Sequence, residues 1–304
     1  MSANVILEST QQETRDRRWA AAAAITVIGF FVNAIMFVAE MIDRQKLKLE
    51  LRSYVPHPDD IFIVTYPRSG TTLVQMILYQ LLTDGEMDIA HIQEWSPFFE
   101  SRIQDGQSFK NFLSPRVFKS HLFYKLIPRG PCKYIYVARN GKDVAVSAFH
   151  FSQTHMGAKM DFGTFFDLFL KGKYRFGSWF KHVGQWWENR HNLNVMFLTY
   201  EELTKDRERA IRKIIDFCGK KVEPEKFSQI MERSSFAFMK QHEDKFDSLL
   251  GRALDFNFKA GSFIRKAQAG QWKEYLSNEQ EELFQRRFTE RLNKLSAELK
   301  NNIR

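Results

Sequence analysis

The sequence predicts an α/β domain, a parallel sheet flanked by helices, with a P-loop-like phosphate-binding strand–loop–helix. Three observations predict it. The stretch IFIVTYPRSGTTLVQMILYQLL, residues 61–82, begins as a β-branched and aromatic run and breaks at Pro67-Arg68-Ser69-Gly70. It resumes with apolar residues at helical spacing through Leu73, Met76, Ile77 and Leu81. Further strand-like runs at Arg116–His121, Lys133–Arg139 and Val195–Tyr200 are each followed by a loop or a helical pattern. That alternation is the one parallel strands require. A chain of 304 residues is also long enough to bury a sizeable core.

Taken in order, residues 1–18 are polar and end in Arg15, Arg17 and Arg18. From Trp19 to Ala39 there are 21 residues without a charge. As a helix this segment would be roughly 31 Å long, matching the ~30 Å hydrocarbon core of a bilayer. Glu40-Met41-Ile42-Asp43 follows, where a secretory signal would carry a small-residue cleavage site. The segment therefore reads as a membrane anchor, with a buried or partner-packing helix as the alternative. Arg44, Lys46, Lys48 and Arg52 outnumber the arginines before it, which places the main domain in the cytoplasm. Residues 1–52 are thus a tail, anchor and linker, and residues 53–304 the catalytic-sized domain. Within that domain helices are expected over Val144–Phe151, Phe162–Lys171, Ser178–Arg190, Arg207–Cys218 and Glu279–Lys300. The last places Phe284, Phe288, Leu292, Leu295 and Leu299 on one stripe, read as core packing.

Composition narrows the partners. The net charge of +9 and pI of about 9.4 favour an anionic ligand or surface. Nucleic acid is not expected, because the basic residues are scattered and no nucleic-acid-binding signature occurs. The histidines show no metal-ligand spacing, so no metal is predicted. Cys132 and Cys218 make no disulfide framework and no N-x-[ST] sequon occurs, as expected in a reducing compartment.

The loop at 67–72 is not a Walker A motif: its first Gly is absent, Thr71 stands in place of the Lys, and the cation, Arg68, precedes Gly70. Nor does a Walker B Asp end a strand, as it would in a Mg²⁺-dependent kinase. The strands instead end in Arg68 to Thr72, His121, Arg139 and Tyr200, where a parallel sheet binds its ligands. Phosphate held by cations and backbone N–H groups is the better reading, with a P-loop kinase as the rival.

At these residues the chain resembles the PAPS-dependent sulfotransferases, closest to the cytosolic type acting on phenols and alcohols. The resemblance spans residues about 56–282 in ordered blocks: TYPRSGTTL, VFKSHL, YVARNGKDVAVSAFHF, GSWFKHVGQWWE, FLTYEEL, SSFAFMK and RKAQAGQWKEYLS. It implies a sulfotransferase using PAPS as donor cosubstrate and a small-molecule hydroxyl acceptor. It assigns Arg68, Ser69, Gly70, Thr71, Thr72 and the position of Leu73 to the 5′-phosphosulfate side. Arg139 and Ser147 would clasp the 3′-phosphate, with Arg265, Lys266 and the position of Ala267 closing over it. Tyr200, Ser234 and Phe236 would line the adenine, Phe98 and Phe151 the acceptor pocket, and His121 would be the general base.

Some positions depart from the family pattern. Leu73 replaces a Trp that stacks on adenine, and Ala267 replaces a Gly. Arg68 replaces a Lys; because a guanidinium stays protonated, it can stabilise charge but not donate a proton. The RSGTTL loop and the Trp19–Ala39 segment also fit membrane-anchored Golgi sulfotransferases of carbohydrate or protein tyrosine, which stay open as the alternative subclass. The family's dimer segment, K-x-x-x-T-V-x-x-x-E, retains Lys273 and Glu282 but has Ser277-Asn278 at its centre. A monomer or weak homodimer is expected.

Overall fold

All four apolar runs fold as strands of one parallel sheet: β1 (Ile61–Thr65), β2 (Val117–Ser120), β3 (Lys133–Ala138) and β4 (Val195–Thr199), in the order β2-β1-β3-β4. They belong to a computed structural model that describes residues 45–192, 194–247, 263–265, 269–293, 295 and 297–303. The chain divides into two compact units, residues 1–50 and 51–304. Of the first unit only 45–50 are described, and they are helical. The Trp19–Ala39 segment lies outside the described residues; among those described, no helix is long and apolar enough to cross a membrane.

The remaining elements are α1 (Thr71–Leu82), α2 (Ile92–Trp95), α3 (Phe99–Gln104), α4 (Gly141–His155), α5 (Phe162–Leu170) and α6 (Trp179–Glu188), followed by α7 (Tyr200–Lys205), α8 (Arg207–Phe217), α9 (Pro224–Arg233), α10 (Phe236–Gln241), α11 (Asn278–Arg291) and α12 (Ala297–Ile303). Every residue of β1 is buried, as in a strand covered on both faces. Period-two alternation sorts its side chains. Ile61 and Ile63 join Val74, Ile77 and Leu78 of α1 and Ile211 and Ile214 of α8 in an aliphatic core. Phe62 turns the other way onto an aromatic layer, 5.6 Å from the stacked ring of Tyr134. In that layer Tyr136 stacks on Trp186 of α6 at 5.1 Å.

Two expectations change in detail. The helix expected over Glu279–Lys300 is broken into α11 and α12, because Leu292 (φ −125°, ψ 30°) leaves the helical region and ends α11. Its stripe is nonetheless core: Phe284, Phe288, Leu292, Leu295 and Leu299 are all buried. The short helices α2, α3, α7, α9 and α10 were not expected; most carry too few turns for a hydrophobic period to register.

Register aligns the strand ends. Val64 pairs with Ser120, Thr65 with Val137 and Ala138 with Thr199, so the four strands finish at one level. The next residues face the same edge of the sheet. Gly141, the first residue of α4, lies against the rings of Trp179 and Phe284; an added Cβ would stand 2.7 Å from Phe284 Cζ and 2.8 Å from Trp179. Both rings are fully buried. Gly141→Ala is therefore expected to cost about 1–3 kcal/mol by overpacking, read as a lower melting temperature in calorimetry.

Candidate active site

After Thr65 the chain must turn from strand to helix within a few residues. Arg68 (φ +71°) and Gly70 (φ +101°) supply the left-handed conformations that do so. Gly70 must also lack a side chain, because a Cβ would stand 2.8 Å from the Tyr200 ring. No side chain caps α1 and no acidic residue occupies its first turn, which leaves the positive end of the helix open to an anion. Ser69 Oγ is buried there without a hydrogen-bond partner. Thr71 Oγ1 lies 2.6 Å from Thr65 Oγ1, while Thr72 is partly exposed.

Cations surround this loop. The Arg68 guanidinium donates to Ser147 Oγ (3.2 Å) and to the Phe263 carbonyl (2.9 Å), and lies against the rings of Phe151 and Phe263. Burial first, then Arg139, lowers its pKa to about 10, as expected where positive charge is in excess. Arg139, next after β3, donates to the Arg68 carbonyl at 2.9 Å and covers the Tyr200 ring at 4.4 Å. Thus Ser147 meets Arg68 rather than Arg139, since Arg139 turns towards Tyr200. Arg265 is hydrogen-bonded to Gln271 Oε1.

His121, next after β2, is held by neighbours on every side. Its Nδ1–H donates to the Thr65 carbonyl at 2.9 Å, which leaves the lone pair of the neutral ring on Nε2. Its own carbonyl accepts from His182 Nε2 at 3.2 Å, and Tyr136 O–H donates to His182 Nδ1 at 2.9 Å, fixing that second tautomer. Phe98 and Phe176 stand edge-on to the imidazole with centroids 5.3 and 5.5 Å away. Burial, then Lys119, holds the His121 pKa well below 6.5. The ring is a neutral acceptor close to the loop that follows β1, the state a general base needs.

Other expected residues fall at varied distances from this centre. Phe151 stacks on His155 at 4.8 Å and borders Arg68. Leu73 packs against the aliphatic core. Ser234 Oγ is buried and donates to the Ile230 carbonyl at 2.6 Å, whereas Phe236 is 43% exposed. Lys266 and Ala267 lie outside the described residues. Among the described residues no group of three His, Cys, Asp or Glu is placed to hold a metal ion.

Several site residues were not singled out from the sequence. Lys119 sits two residues before His121 on the same face of β2, a period-two signal within VFKSHL. Its Nζ lies 5.1 Å from the Phe98 ring centroid, and burial lowers its pKa to about 8. Asp143 accepts from the backbone N–H groups of Gly270 (2.7 Å) and Trp272 (3.2 Å), and Lys142 Nζ lies 3.2 Å over the Trp272 ring. The N-terminal turn of α4 thereby holds the closing block RKAQAGQWKEYLS from residue 270 onward. Only the pairing of two distant blocks could have revealed that contact.

An uncapped helix start, two arginines and a neutral imidazole at one end of a parallel sheet suit an enzyme that transfers a group from a phosphate-bearing donor. Comparison with known proteins specifies the group. The sulfotransferase domain family matches residues 58–296, and the chain belongs to it. Its sequence is similar to sulfotransferase 1C2 of Homo sapiens, 36% identical over 250 residues, 77% of this chain and 83% of that protein. It is also similar to the amine sulfotransferase of Oryctolagus cuniculus, 33% identical over 268 residues, 84% and 88% of the two chains. Its fold is similar to that of mouse sulfotransferase SULT7A1 complexed with PAP, with TM-score 0.65, 28% identity and 82% and 88% of the chains covered. Retinol dehydratase in complex with androsterone and the inactive cofactor PAP gives TM-score 0.72, 25% identity and 82% and 85% coverage.

Burial keeps the His121 imidazole neutral below the ordinary histidine range, where it can still accept a proton. The acid limb of kcat/KM is expected below pH 6.5, checked by steady-state rates across pH 4.5–8; a limb at or above 6.5 would contradict the tautomer and burial described for His121.

Proposed function

We propose that the protein transfers the sulfuryl group of PAPS to the hydroxyl of a small, hydrophobic phenol or alcohol, with His121 as general base. One observation carries this reading: Nδ1 of His121 is tied to β1, so Nε2 is the atom available to take a proton beside the phosphate loop. His121 Nε2 accepts the hydroxyl proton as the acceptor oxygen forms its bond to sulfur. The bond from sulfur to the phosphate oxygen breaks, and its electron pair leaves with the adenosine bisphosphate. Backbone N–H groups at the start of α1 and the Arg68 guanidinium are suited to receive that charge. The unpartnered Ser69 Oγ and the excess of buried positive charge support an anionic donor in this cradle. In that reading Arg139, with Ser147, faces the 3′-phosphate, Arg265, Lys266 and Ala267 close over it, and Tyr200, Ser234 and Phe236 border the adenine. Phe98 and Phe151 line the acceptor side.

His121→Ala is expected to lose about 10²–10⁴ in kcat while binding adenosine 3′,5′-bisphosphate nearly as tightly as wild type in calorimetry. Turnover within threefold of wild type would remove His121 from the mechanism. Arg139→Ala is expected to weaken bisphosphate binding by about 2–4 kcal/mol in the same titration; unchanged affinity would sink the 3′-phosphate assignment.

We also infer that residues 1–52 are an anchoring unit, with Trp19–Ala39 in a membrane and residues 53–304 on the cytoplasmic side. The charge-free length of that segment supports the reading. The full chain is expected to pellet with membranes after alkaline carbonate and to be cleaved by added protease in sealed vesicles. Without residues 1–52 it should remain soluble and sediment as a monomer or weak dimer at low micromolar concentration. Protection from protease would instead favour a lumenal, Golgi-type domain.

A further inference from the structure

β2 is the edge strand, and its outer side shows how the base is aimed. Lys119 N–H donates outward to the Pro97 carbonyl at 3.0 Å, where Phe98 forms an isolated parallel bridge with Lys119. In a strand, amides two residues apart point the same way. The N–H of His121 therefore also points outward, past the point where the bridge has ended. There it meets a side chain in place of a strand: Glu100 Oε1 accepts it at 2.6 Å. Glu100 lies in the first turn of α3 and is 8% exposed, with Oε2 buried and lacking a hydrogen-bond partner.

We propose that Glu100 is a positioning residue for the sulfuryl transfer, its carboxyl extending the edge ladder of β2 by one bond to aim His121. The inference rests on the reading of His121 as general base. With His182 on the carbonyl, Glu100 on the N–H and Thr65 on Nδ1, three elements fix one residue, and only Nε2 lacks a partner among the described residues. Removing the Glu100 acceptor leaves a buried amide unsatisfied and frees the turn after Ser120. The ring can then lose the Thr65 bond that sets its tautomer. Burial holds the Glu100 pKa up to about 7, and either protonation state keeps an oxygen able to accept from the amide.

The test uses the full-length enzyme with PAPS and 4-nitrophenol, and compares Glu100→Met, which keeps volume without a carboxyl, with Glu100→Gln, which keeps a carbonyl acceptor. His121→Ala serves as the reference. For Glu100→Met we expect at least a tenfold loss of kcat, less than a twofold change in affinity for adenosine 3′,5′-bisphosphate, and a mixture of His121 tautomers by ¹⁵N NMR. Glu100→Gln is expected to retain the Nδ1–H tautomer and kcat within threefold of wild type. A Glu100→Met enzyme with wild-type kcat and tautomer overturns the proposal. So does a Glu100→Gln enzyme as impaired as Glu100→Met, since charge rather than the hydrogen bond would then be responsible. The tautomer is read without turnover, so these results separate from a failure of the base assignment, which would appear as an active His121→Ala enzyme.

Discussion

The hydrogen bond from His121 to the Thr65 carbonyl exists because β1 and β2 run parallel and end level. Every feature of the site depends on that shared edge. The same Thr65 engages Thr71 through its hydroxyl, so one residue connects the imidazole to the start of α1. A slip of one residue between β1 and β2 would turn His121 to the other face of the sheet and separate it from the loop after β1. The aliphatic and aromatic layers on the two faces of the sheet are what hold that register.

The electrostatic design follows from burial. Arg68 is taken out of water beside Arg139, with neutral partners in Ser147 and the Phe263 carbonyl. Such an arrangement is unfavourable until an anion enters, and the deficit is a source of affinity for one. His121 shows the complementary effect of burial. Burial behind phenylalanine rings, and then Lys119, keep the imidazole neutral, while the Thr65 carbonyl on Nδ1 fixes its tautomer.

The closing block is tied to the same framework from the opposite side. Asp143 and Lys142 follow Arg139 by a few residues, on the first turn of α4, and hold Gly270 and Trp272. Gly141 gives that turn close contact with Trp179 of α6 and Phe284 of α11, which ties the start of α4 to both helices. The Arg68–Thr72 loop, His121 and the segment from residue 270 are therefore placed by where β1, β2 and β3 end.

Much of this was legible in the residues alone. The strand–loop–helix at 61–82, the four strand runs and the cationic strand ends required only local periodicity and turn chemistry, which are properties of neighbouring residues. The resemblance to sulfotransferases was equally local, carried by short ordered blocks, and the family match over residues 58–296 agrees with it. What the sequence could not supply was contact between distant blocks. Glu100 reaches His121 across 21 positions and Asp143 reaches Gly270 across 127, and no pattern along the chain reports either. The break at Leu292 and the pairing of Arg68 with Ser147 are likewise decided by packing. Local sequence determined which groups stand at the ends of the strands; only the tertiary fold decided which of them touch, because hydrogen bonds and burial depend on partners the chain brings together from far apart.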